Sequence, residues 1–98
     1  YQADIDGKHR YTGQNYEERR RTTLAYRGQK TTIAPYTGEG TPEAVRASVK
    51  NNAWTGLTVA GSLGSSDSLR ALLKPEGWNT FHLIVKGNRL QHYVNGVL

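Results

Sequence analysis

Hydrophobic and polar positions alternate most clearly at the two ends of the chain. At the start, YQADID puts Tyr1, Ala3 and Ile5 on one side of an extended strand and Gln2, Asp4 and Asp6 on the other. Asp6-Gly7-Lys8 then reads as a turn. Residues 9–22 are polar, rich in Tyr, Gly and Arg, and show no period, which predicts a long functional loop. Thr22–Tyr26 and Lys30–Ala34 are expected as short strands, with Arg27-Gly28-Gln29 as a hairpin turn between them.

The middle of the chain carries two helix signals and one more strand. Thr41-Pro42-Glu43 supplies an N-cap, a proline in the first turn and an acid at the positive end of the helix dipole. That helix would carry Val45 and Val49 on one side and fade at Lys50-Asn51-Asn52. Trp54–Ala60 reads as a strand. A short helix follows, capped by Ser66, striped with Leu69, Leu72 and Leu73, and stopped by Pro75. In TFHLIVKGNRLQHYVNG two strands flank Gly87-Asn88, with a second turn at Asn95-Gly96. A two-residue turn pairs Phe81 with Val94, Leu83 with His92 and Val85 with Leu90. His92 then shares a face with Leu90 and Val94, and His82, Gln91 and Tyr93 take the other. Trp54 and Trp78 are expected in the core.

Several short strands separated by turns, with two small helices, predict a mainly β sandwich or jelly roll. The pattern begins at residue 1 and stops just after a turn signal. Residues 1–98 are therefore read as a single domain that is the central part of a larger sandwich.

Composition narrows the function only at its margins. With no cysteine, disulfides and thiolate metal sites are excluded. No apolar run approaches the roughly 20 residues of a membrane span. The net charge of +5 raises nucleic acid as a partner, with Arg19-Arg20-Arg21 as its most basic run. Glu17 and Glu18 directly precede that run and no nucleic-acid motif accompanies it, so local ion pairing is expected and nucleic acid is not.

The end of the chain, GWNTFHLIVKGNRLQHYVNGV, resembles the signature of the 3-keto-disaccharide hydrolase family. Trp78, Asn79, Gly87, Asn88, His92, Asn95 and Gly96 carry the likeness. YQADID and the loop RYTGQNYEERRR are similar to the acidic strand and the Arg-x-Thr-Gly-x-x-Tyr loop of the same family. The match weakens over 34–53, where the helix looks inserted. The resemblance implies a concanavalin-like β-sandwich, export from the cytoplasm, and action on glycosides whose sugar bears a ketone at carbon 3. A non-catalytic carbohydrate-binding module on the same sandwich is the alternative, and an interaction domain of a larger exported protein is a third reading.

A 3-keto group acidifies the proton on carbon 2, so a base can remove it while the glycosidic oxygen leaves, and water then adds to the enone. Such a site needs a base, an acid for the leaving oxygen, and a cation or divalent metal for the enolate. Asp4 and Asp6, roughly 6.5–7 Å apart along one strand face, can flank one substrate. The competing reading is a solvated outer strand. His92 is the second catalytic candidate, and with Asp4 the candidate metal ligand; against it stands a core histidine satisfied by backbone. Gln2, His9, Arg10, Tyr11 and Tyr16 are the expected substrate contacts, Arg10 at the ketone and the tyrosines stacking on a sugar ring.

Overall fold

The computed structural model describes residues 1–34, 41–52, 54 and 56–98. In chain order its elements are β1 (Gln2–Ala3), β2 (Asn15–Glu17), β3 (Thr22–Ala25), β4 (Gln29–Ile33), α1 (Pro42–Asn51), β5 (Leu57–Ser62), α2 (Ser66–Arg70), β6 (Phe81–Lys86) and β7 (Arg89–Val94). The strands form three antiparallel sheets, β1-β2-β3, β4-β5 and β6-β7, with no closed barrel among the described residues. The mainly β architecture with two short helices matches the expectation and is consistent with part of a β-sandwich.

The β6-β7 hairpin has the expected register, from Phe81 opposite Val94 to Lys86 opposite Arg89. Gly87 turns it with φ +59, the left-handed conformation wanted at the first position of a type II′ turn. Asn95 and Gly96 both have positive φ, so Val97 folds back onto Val94. α1 starts at Thr41, whose side chain accepts from the Ala44 N–H, and closes at Asn52 in the left-handed region.

Five expectations change. β3 and β4 do not form a hairpin with each other: β3 pairs with β2, and β4 with β5. The Gln29 side-chain oxygen takes the Tyr26 N–H that a ladder would have used, and the Thr31 hydroxyl donates to the Leu24 carbonyl, so the corner redirects the chain. The 9–22 loop contains a strand, β2, too short and polar to show a period. The expected strand at Trp54 begins instead at Leu57, after a turn in which the Leu57 N–H donates to the Trp54 carbonyl; position 55 lies outside the described residues.

α1 buries Ser48, not Val49, because the Ser48 carbonyl accepts from the Thr22 hydroxyl of β3 while Val49 is 56% exposed. Trp54 is buried as expected, but Trp78 is 92% exposed. Gly77 turns the chain at φ +92, and the neighbouring Asn79 side chain is tied inward to Lys74 and Asn95, which leaves Trp78 pointing out. The buried apolar side chains among the described residues are Leu24, Trp54 and Leu73.

Candidate active site

In the first strand the polar row is partly covered, with Gln2 exposed. Tyr1 and Ile5 are exposed, while Ala3, Asp4 and Asp6 are half-buried. The cause is the polar loop that closes over Asp4. The Asp4 N–H donates to the Gln14 carbonyl at 3.1 Å, and the Gly13 N–H donates to the Asp4 carbonyl at 3.0 Å. The carboxylate then accepts from the side-chain amides of Gln2 and Gln14. A half-buried carboxylate is stable only with such donors. Gln14, itself buried, is the partner that sequence reasoning missed; it stands at a variable position of the loop motif with no period to reveal it.

Two more titratable groups come within the field of Asp4. Register places Tyr16 of β2 opposite Gln2, on the side shared with Asp4. Burial, then the charges of Glu18 and Asp4, hold the Tyr16 phenol above its ordinary value, so it stays protonated. His92 of β7 feels the Asp4 charge. Burial lowers its pKa and the Asp4 charge partly opposes that shift, so the imidazole is neutral at pH 7. The expected satisfying partner is not found. Neither His92 ring nitrogen makes a hydrogen bond to another described residue, and the ring borders a small cavity of about 40 Å³ with Thr12, Gly13, Arg27 and Val94. His82 lies on the opposite face, its ring 6.0 Å from that of Tyr93.

Asp6 does different work. Its carboxylate accepts from the Lys8 and Arg10 N–H groups at 3.1 and 3.0 Å and from Arg10 Nε at 3.4 Å, and the Lys8 contact is the leading reason its pKa falls. Thr12, buried, takes the Asp6 N–H and returns its hydroxyl proton to the Asp6 carbonyl. His9 contacts the Thr12 hydroxyl through Nδ1 and the Lys74 carbonyl through Nε2. Arg10 lies over the Tyr11 ring at 5.4 Å, and Tyr11 is half exposed. Asp6, His9, Arg10 and Tyr11 thus form one rim, while Asp4, Gln2, Tyr16 and His92 form a second group.

Arg27, which sequence reasoning also missed, joins the two. Its guanidinium donates to the His9, Arg10 and Thr12 carbonyls, each at 3.0 Å, and its Nε to Ser66. It holds the loop whose next residues, Gly13 and Gln14, fasten Asp4. Only the Gly28 turn beside it hinted that its direction was constrained. Glu17 is bound to Arg21 through both carboxylate oxygens, at 2.5 and 3.2 Å, the local ion pairing the charge run suggested.

As a metal centre the group fits poorly. Both Asp4 oxygens already accept from amides, and no cluster of three or more His, Asp, Glu or Cys side chains occurs among the described residues.

No curated protein and no solved structure matches this chain. A family model does, over residues 1–98, described as the 3-keto-alpha-glucoside-1,2-lyase-like domain. With its whole length matched, and with the acidic strand, the Thr-Gly loop and the His92 hairpin assembled around one carboxylate, the chain belongs to the 3-keto-alpha-glucoside-1,2-lyase-like domain family.

Proposed function

We propose that this domain cleaves glycosides oxidised at carbon 3, by elimination followed by hydration. The observation that carries the reading is His92: a neutral, half-buried imidazole with neither nitrogen bonded among the described residues, in the field of a carboxylate that is itself firmly held. A core histidine would have spent those nitrogens on partners.

In the proposed reaction His92 takes the proton from carbon 2, and Asp4 stabilises the resulting imidazolium. The glycosidic oxygen leaves carbon 1 with a proton from the Tyr16 phenol. Arg10, whose terminal nitrogens carry no partner among the described residues, balances the enolate charge. Water then adds to carbon 1, its proton restores Tyr16, and the imidazolium returns its proton to carbon 2. The net change is hydrolysis. Asp6 supports the loop that presents Arg10 and Tyr11, and no step runs through a metal.

A second reading, a carbohydrate-binding module, draws on the half-exposed Tyr11 ring. Both readings take carbohydrate as the partner and the family's extracytoplasmic setting as the location. The test is turnover of a 3-keto-glucoside together with exchange of its carbon-2 proton in D2O. Both should be present in the wild type and lost in His92→Asn. Binding of the sugar with neither turnover nor exchange would favour the module.

A further inference from the structure

Beside the proposed site lies a cluster of cations, of which the proposed chemistry uses Arg10 alone. The loop at 8–10 is held by the side chains of two arginines and by one backbone carbonyl. Arg27 donates to the His9, Arg10 and Thr12 carbonyls, and Arg70 of α2 donates to the Lys8 carbonyl at 2.9 Å. Lys74 offers its carbonyl to His9. With Lys8 and Arg10 this gathers five basic residues from three segments of the chain; loop carbonyls hold Arg27 and Arg70, and Arg10 pairs with Asp6. The same contacts bring in two carboxylates, Asp6 beneath Arg10 and Asp67 near Arg27. Among the described residues Lys8, Arg27, Arg70 and Lys74 form no ion pair.

The repulsion within the cluster is felt inside it. Burial lowers the Arg27 pKa, the Arg70 charge lowers it further, and Asp67 only partly offsets both. Carbonyls fix Arg27 and Arg70, and Arg27 is partly buried; cations so held and short of counter-charge attract an anion more strongly than the same cations dispersed over a surface. Arg19 and Arg20, exposed on the β2-β3 turn, are the dispersed case.

We propose that this rim, formed by Lys8, Arg10, Arg70 and Lys74 around Arg27, is an anionic subsite that takes the carboxylate of an acidic sugar. It deepens the proposed function: it rests on carbohydrate being the ligand and names uronate-containing oligosaccharides as the class. The rim is the outer part of the loop whose inner residues hold Asp4, so an acidic unit there adjoins the sugar at the site. Nucleic acid is the less favoured anion, because the rim presents Tyr11 as its one half-exposed ring and no series of aromatics for successive bases.

The test is equilibrium binding of a uronic-acid oligosaccharide and of the same oligosaccharide with its carboxyls reduced, to the whole chain. The acidic form should bind roughly 10-fold tighter at low salt and lose that advantage as ionic strength rises. Lys8→Ala combined with Lys74→Ala should abolish most of the preference, and Arg19→Ala combined with Arg20→Ala should leave it intact. Equal binding of the two forms would overturn the proposal, as would a preference that survives the Lys8/Lys74 change. An oligonucleotide of equal charge binding as tightly as the uronate would also overturn it. Turnover of a neutral 3-keto-glucoside, measured on the same Lys8/Lys74 variant, should match the wild type; its absence in both would count against the catalytic reading and leave the binding result standing.

Discussion

Truncating Arg27 tests the scaffold beneath the site. Its guanidinium reaches three loop carbonyls, and its Nε reaches the Ser66 carbonyl and hydroxyl. In Arg27→Ala, water replaces the donor at the exposed contacts to Arg10 and Ser66, so those cost little. The contacts to His9 and Thr12 are partly buried, and their carbonyls would be left without a donor. At about 1.5–3 kcal/mol for each bond from a charged donor, the loss over these two is about 3–6 kcal/mol. That is a large share of the roughly 5–15 kcal/mol that holds a small domain. Arg27→Lys keeps the charge but not the planar fork, so it should recover no more than about half. Urea unfolding followed by the fluorescence of buried Trp54 measures both variants. Amide exchange at Gly13, which donates to Asp4, should rise in each even where the fold survives. A lysine variant as stable as the wild type would refute the argument, since charge alone would then suffice.

Three further outcomes are expected. Gly28→Ala should destabilise by well over the roughly 1–2 kcal/mol of a left-handed alanine, because φ is +87 and the new methyl would lie 2.5 Å from the Gly64 carbonyl oxygen; Gly77→Ala, at φ +92 in open space, measures the conformational cost alone by thermal melts. The Arg21 contact lowers the Glu17 pKa, so its contribution, about 1 kcal/mol, is present above the ordinary value of 4.5 and lost as pH falls through the lower folded value; Glu17→Gln should flatten that acid limb of a stability-versus-pH curve. Burial holds the His92 pKa below 6.5, so kcat/KM on a 3-keto-glucoside should be flat at neutral pH and fall on the acid side of 6.5; because the Asp4 charge raises that pKa, Asp4→Asn should lower the rate and move the limb to still lower pH.

The parts of this chain legible from its sequence are those whose specification is local. The β6-β7 register follows from period-2 alternation and a glycine able to take φ +59, and α1 announces itself by its cap; α2 is capped by Ser65, not the expected Ser66, and ends at Arg70, before Leu72, Leu73 and Pro75. What the sequence hid depends on residues far apart. Asp4 is held by Gln14 across 10 positions, and the His9–Thr12 stretch is held by Arg27 across 15 to 18. Neither separation leaves a period. Nor does YQADID say which of its sides is covered: alternation separates two faces, and the choice between them depended on the Thr-Gly loop and its amides.

Resemblance alone also cannot say which motif residues react. Asn79 and Asn95 belong to the same terminal signature as His92, yet they commit their side chains to the scaffold. Asn95 bonds Thr80, Leu72 and Asn79, and Asn79 bonds Lys74 on both its backbone groups. Removing either asparagine unlocks the join between the Leu72–Lys74 turn and the hairpin, so a loss of activity there would come with a loss of stability. His92 makes no hydrogen bond among the described residues, so replacing it with asparagine leaves none of them without a partner. Within one motif, it is this difference in satisfied hydrogen bonds that separates a residue free to move a proton from those that hold the site in place.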